Sequence, residues 1–287
     1  MNRRRVLTIL AAAALPLRAT ATEWHGIALG AEARVVLSGQ KGDARAALTA
    51  LPALLADMEA EFSLYRPSSL TRLNRDGRLD PSAAFRAVLS VADAVHRATG
   101  GAFDPTVQPL WSALARGEDP GPATAAIGWD RVALGPSVTL APGQALTLNG
   151  IAQGFATDAA LRLLADHGFT KALVDLGEAA ALGGPFRLSL QDPEFGPMGT
   201  RSLTDRAIAT SSPRATLVGD RPHILHPQGR PPLWSTVSVE AASATLADAL
   251  STAAVFLTSN ELANARTRLP GIGRITLVDP QGNLSTL

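Results

Sequence analysis

The chain has 287 residues, of which 46% are apolar, 18% charged and only 5% aromatic. So much apolar content, with a formal net charge of +1, excludes a disordered chain and suits one large domain or two small ones. With no cysteine, disulfides, thiol catalysis and Cys-ligated metals are excluded.

In chain order, the first 21 residues read as an export signal outside the fold. Arg3-Arg4-Arg5 opens the segment, an apolar stretch runs from Val6 to Leu17, and Ala19-Thr20-Ala21 closes it with small residues. The arginines suit a twin-arginine signal or an ordinary basic start. Cleavage near Ala21 removes four arginines and no acid, taking the charge from +1 to −3, so no nucleic-acid footprint is expected. The apolar stretch is too short to span a bilayer comfortably, and no later run is long enough. The mature chain, 22–287, is therefore expected in the periplasm without a membrane anchor.

Residues 23–38 alternate loosely and read as a strand or hairpin. Asp43 to Phe62 has leucines at helical spacing behind a capping aspartate, with Pro52 expected to kink or restart the helix. Residues 61–74 read as a loop, Pro81 to Thr99 as a second helix ending at Gly100-Gly101, and 100–111 as irregular. Turns and short strands are expected over 119–146, then a helix from about Ile151 to His167 ended by Gly168. Strands are expected over 171–178, 186–191, 206–212, 236–240 and 275–278, with a helix over 244–257. The helices do not alternate strictly with the strands, so the expected fold class is α+β: a single domain with a mixed β-sheet and flanking helices.

Several residues can carry chemistry. Asp248 and Thr252 stand four apart on a helix, so both lie on one face and can offer oxygen to one Mg²⁺. The alternative is a solvated aspartate and a threonine bonded back to its own helix. Asn149, Gly150 and Gly154 open another helix, whose N-terminal N–H groups suit a pyrophosphate; close helix packing explains the same glycines. The stretch has neither the G-x-G-x-x-G nor the G-K-[ST] pattern. His223 and His226 flank Ile224-Leu225 with no third nitrogen ligand nearby, which argues against zinc and leaves a base as one reading. Tyr65, the only tyrosine, can stack on a planar ligand or simply pack. Asp104, Asp175 and Glu178 can join a site or cap turns.

Seven segments in register carry a resemblance: F-S-L-Y-R-P-S-S-L-T-R-L-N, G-G-A-F-D-P-T-V-Q-P-L, N-G-I-A-Q-G-F-A-T-D, A-L-V-D-L-G-E, A-I-A-T-S-S, H-I-L-H-P-Q-G-R-P and A-D-A-L-S-T-A, spanning residues 62–254. Together they resemble the ApbE family of FAD:protein FMN transferases. The resemblance implies an exported enzyme that uses FAD and Mg²⁺, moves FMN through a phosphoester onto a Thr or Ser of an acceptor flavoprotein subunit, and releases AMP. It implies a metal held by the Gly150 carbonyl, Asp248 and Thr252. FAD contacts are implied at Tyr65, Ala102, Phe103, Asp104, Thr147 and Gln153, and a catalytic histidine at His223. Leu29, in A-L-G-A (28–31), matches weakly a position where the family usually has methionine. Three positions depart from the family pattern. Thr147 replaces an acid that would contact FAD, Gln153 replaces a lysine that could face phosphate, and His226 replaces an acid or amide beside His223. These departures keep a second reading open: a non-catalytic, exported FAD-binding accessory of a respiratory reductase.

Overall fold

The computed structural model describes residues 7–9, 22–38 and 43–287. Apart from Leu7–Ile9, whose backbone forms a short strand antiparallel to Phe186–Asp192, the expected export signal lies outside the described residues.

Eight α-helices are described. The first, α1 (Ala44–Phe62), begins where Asp43 accepts the Ala46 N–H at 2.9 Å and buries Leu51, Leu55, Met58 and Phe62 on one stripe. Pro52 does not restart it. The proline sits on the exposed face, where the carbonyl that loses its N–H partner can turn to water. The expected loop over 61–74 contains α2 (Ser69–Asp76). Ser68 and Thr71 exchange capping bonds to start it, and Gly77 ends it in the left-handed region at φ 69°. The remaining helices are α3 (Ala83–Ala98), α4 (Gln108–Arg116), α5 (Pro120–Ala125), α6 (Ala152–Asp166), α7 (Ala244–Ala254) and α8 (Ser259–Arg268).

The main sheet has eight strands in the order Leu284–Thr286, Ile272–Val278, Thr236–Ala241, Ala207–Ser211, Ala179–Leu182, Ala172–Asp175, Ala31–Leu37 and Thr22–Ala28. The α+β class and the sheet with flanking helices are as expected. The ladders, expected to be mixed, are all antiparallel among the described residues. Short turns such as 176–178 and 29–30 join neighbouring strands, and a short turn reverses the chain, whereas a parallel neighbour needs a long crossover.

Side-chain alternation splits the sheet between two cores. From Ala172–Asp175, Ala172 and Val174 join the large cluster under α1, α3, α6 and α7. Leu173 joins a smaller cluster with Phe186, Leu188, Leu190 and Leu203 of a hairpin (Phe186–Asp192 with Gly196–Leu203) that covers the other face. Burial on both faces explains why A-L-V reads as one apolar run. No helix among the described residues is long and apolar enough to cross a membrane.

Candidate active site

At the edge of the helical layer the N-terminus of α6 meets the middle of α7, and a cavity of about 450 Å³ opens there. That volume suits a small-molecule ligand. The 29–32 turn region, the loops after α1 and α3, the strand ends at Asp175 and Ser211, and residues 223–225 complete its wall.

The cavity gathers residues far apart in sequence: Tyr65, Ala102, Phe103, Asp104, Thr147, Gly150, Gln153, His223, Asp248 and Thr252 all line it. Leu29 is not among the lining residues. It occupies the hairpin turn at φ 48° with its side chain against the core, and its neighbours Ala31 and Glu32 face the cavity instead.

Gly150 and Thr252 are pressed together. A Cβ on Gly150 would lie 2.7 Å from Thr252 Oγ1, so only a bare backbone brings the two groups side by side. Asp248 is 4% exposed, and its Oδ2 accepts the Gly154 N–H at 3.0 Å. A backbone carbonyl, a carboxylate and a hydroxyl are hard oxygen donors, which fit Mg²⁺. No group of three or more His, Asp or Glu poised around one point occurs among the described residues. A metal here would take a backbone oxygen and leave positions for water or phosphate, as Mg²⁺ commonly does.

Asn149 does not cap α6; Ile151 occupies the cap position without a side-chain bond. The α6 N-terminus is also less open to phosphate than the sequence suggests. The N–H groups of Ile151 and Ala152 both donate to the Leu148 carbonyl, and that of Gly154 to Asp248. These donors are spent inside the protein.

The three departures have local explanations. Thr147 Oγ1 accepts the Asn149 N–H at 3.2 Å, shaping the turn that presents Gly150. Gln153 is 6% exposed and donates its side-chain amide to the Leu176 carbonyl at 3.4 Å, across a turn where Gly177 has φ 107°. His226 is buried 5.0 Å edge-on to Phe256, with the Gln228 N–H 3.0 Å from Nδ1 and Arg230 Nε 2.9 Å from Nε2. A neutral ring accepts from only one of these donors, and a protonated ring from neither. Burial first, then Arg230, lower its pKa from 6.5 to about 4, and Glu261 opposes them only in part.

His223 is placed differently. Its Nδ1 lies 2.9 Å from the Pro213 carbonyl and 3.2 Å from that of Thr216. Carbonyls only accept, so Nδ1 carries the proton and Nε2 is the basic nitrogen of the neutral ring. Tyr65 is 74% exposed at the rim, which removes the packing alternative for its ring. Asp104 is turned into its own loop. Oδ1 accepts the Thr106 N–H and hydroxyl at 2.8 and 2.6 Å, and Oδ2 accepts the Trp129 N–H at 3.3 Å. Its visible work is to hold the wall that carries Ala102 and Phe103.

Two carboxylates left open by the sequence also face the cavity. Asp175 accepts the Gly177 N–H at 3.1 Å, and Glu178 accepts the Thr210 N–H at 3.1 Å. Glu32 and Trp111 line it without any local motif to mark them. Five acidic residues therefore line the cavity, Asp104 with its carboxylate turned into its own loop, and no lysine or arginine does, among the described residues.

The ApbE family model matches residues 29–273. The apbe protein of Thermotoga maritima superposes with a TM-score of 0.81 at 25% identity, covering 93% of this chain and 96% of that one. The flavin transferase ApbE of Vibrio cholerae superposes at 0.78 with 23% identity, over 93% and 97% of the two chains. The apo flavinyl transferase ApbE of Pseudomonas stutzeri superposes at 0.79 with 24% identity, over 95% and 96%. No curated protein matches the chain. With most of its length matched by the family model and its motif residues gathered on one cavity, the chain belongs to the ApbE family.

Proposed function

We propose that this protein is an exported, Mg²⁺-dependent FAD:protein FMN transferase, with residues 1–21 as its export signal. It would attach FMN through a phosphoester to a Thr or Ser of an acceptor flavoprotein in the periplasm and release AMP. The observation that carries this reading is the juxtaposition of Gly150, Asp248 and Thr252 in a cavity that also holds His223 and is rimmed by Tyr65.

A diphosphate entering a cavity lined by five acidic residues and no lysine or arginine meets repulsion unless a cation accompanies it. Bound Mg²⁺ supplies that charge and favours departure of AMP. Asp248, Thr252 and the Gly150 carbonyl are the residues that would hold it. Ala102 and Phe103, 4% and 5% exposed, form an apolar wall that keeps water from the flavin side. The Tyr65 ring stacks on a planar part of FAD at the rim. His223 takes the proton of the acceptor hydroxyl at Nε2 while its Nδ1–H stays on the Pro213 and Thr216 carbonyls. The hydroxyl oxygen bonds to the FMN phosphorus as the bond from phosphorus to the AMP-side bridging oxygen breaks.

The second reading, a non-catalytic FAD-binding accessory, draws on Gln153, whose amide lies on a backbone carbonyl where the family's lysine would bring a cation. One assay separates the two. The mature protein is incubated with FAD, Mg²⁺ and a flavoprotein subunit that carries an acceptor threonine. Covalent flavin on the acceptor, reduced at least 100-fold by Asp248→Ala, supports transfer. FAD bound at stoichiometry without transfer supports the accessory, and no FAD binding sinks both.

A further inference from the structure

α6 and the turn that leads into it meet α7 at three points about one α7 turn apart, and the residue numbers run in opposite directions. Gly150 meets Thr252, Gly154 meets Asp248, and Asp158 meets Ala244. Each step is four residues on both segments, so the three contacts form the rungs of one antiparallel ladder. The first two rungs contain the residues read above as metal ligands. The third does not, and it is the most strongly bonded.

Asp158 is 9% exposed. Its Oδ1 accepts the Ala244 N–H at 2.8 Å, and its Oδ2 accepts the Thr245 N–H at 2.9 Å and the Thr245 hydroxyl at 2.5 Å. These belong to the first turn of α7, whose N–H groups have no partner within the helix. The third is also accounted for: Ser243 takes the Leu246 N–H on its hydroxyl, and the Ala247 N–H begins the regular ladder on the Ser243 carbonyl. A buried carboxylate on two helix N–H groups makes charge-assisted bonds and meets the positive end of the helix dipole. Gly154 lets the backbones close to the distance this needs. A Cβ there would lie 2.8 Å from Thr245 N and overlap the Ala244 carbonyl.

We infer that Asp158 is a positioning residue that sets the axial register of α7 against α6, and thereby the placement of Asp248 and Thr252 against Gly150. The inference rests on the reading of those three residues as the metal site. The Gly150–Thr252 rung is a steric contact, and the Gly154–Asp248 bond uses the proposed ligand carboxylate itself. The Asp158 clamp fixes the register through atoms that no metal would touch. It acts two turns, about 12 Å, from Thr252.

The test is Mg²⁺ affinity, measured by titration calorimetry on the mature protein without FAD, beside thermal unfolding. Asp158→Asn puts an NH2 group against one of the two helix N–H groups; the expected result is Mg²⁺ binding at least tenfold weaker. Thr245→Val removes only the hydroxyl bond and keeps the volume, so it remains informative if Asp158→Asn does not fold. A twofold to fivefold weakening is expected. Ser243→Ala strips another cap from the same helix without touching Asp158; its Tm should fall while Mg²⁺ affinity stays within twofold of wild type. Wild-type affinity in both Asp158→Asn and Thr245→Val would overturn the inference, as would a loss in Ser243→Ala equal to theirs. If Asp248→Ala binds Mg²⁺ as the wild type does, the metal-site reading fails first and takes this inference with it.

Discussion

At the scale of single residues, two histidines three positions apart have opposite roles. His223 has its Nδ1 on carbonyls, which leaves a basic Nε2, whereas His226 meets donors at both nitrogens and titrates at about 4. The consequence for stability has a definite sign. Between pH 6.5 and 4 the unfolded chain takes up a proton at His226 that the folded chain refuses, so stability falls as pH drops through that window and His226 causes no further loss below it. One proton bound to the unfolded chain alone costs ~1.4 kcal/mol for each pH unit crossed, so the loss is at most about 3.5 kcal/mol. In His226→Asn, urea unfolding between pH 7 and 4 should show a correspondingly shallower slope than wild type. An identical slope would show that the ring is not held in this way.

At the scale of elements, two helices contain residues that local propensity disfavours, with opposite consequences. Pro52 lies inside α1 on its exposed face, where it removes one backbone bond and contributes no core packing. Pro52→Ala should raise stability by about 1–3 kcal/mol and leave FAD binding unchanged. Gly154 shows the opposite case, a helix glycine that Ala would not improve. Its missing Cβ is the space occupied by the start of α7. Gly154→Ala should cost roughly 1–3 kcal/mol through overpacking and weaken Mg²⁺ binding along with it. A stabilised variant with intact metal affinity would contradict the close approach of α6 and α7.

For the whole molecule, the charge distribution is uneven in a functionally informative way. The chain carries 26 Lys and Arg, yet among the described residues none lines the cavity, which is lined by five acidic residues. FAD carries a diphosphate, so its affinity should depend on divalent cation more steeply than a site with its own lysine would require. Fluorescence titration of FAD should show binding at least tenfold weaker in EDTA than in millimolar Mg²⁺. Equal affinity in both would mean that the protein neutralises the diphosphate by other means.

Much of this was legible locally. The leucine stripe of α1 and the pairing of Asp248 with Thr252 follow from the 3.6-residue repeat of a helix, and the apolar run Ala172–Val174 marks a strand buried on both faces. The seven motif segments were enough to give the family. The helix α2 was missed although its Ser68–Thr71 caps are local, whereas the misses at the site come from hydrogen bonds and pairings between residues distant in sequence. The α6 N–H groups look available for phosphate until Asp248, 94 residues later, takes that of Gly154. Asp158 reads as an ordinary helix residue until α7 arrives with its unpaired first turn. Glu32 joins the cavity because a hairpin edge pairs with Ala172–Asp175 through Ala31–Leu37. The antiparallel order of the sheet depends equally on which strands meet. Local pattern and motif were sufficient for α1, α3, α6, α7, the family and the motif residues that line the cavity, but not for α2, α4, α5 or α8. Which donors and acceptors remain for a ligand depends on the folded chain, because a backbone group is committed only once its partner from elsewhere in the sequence is in place.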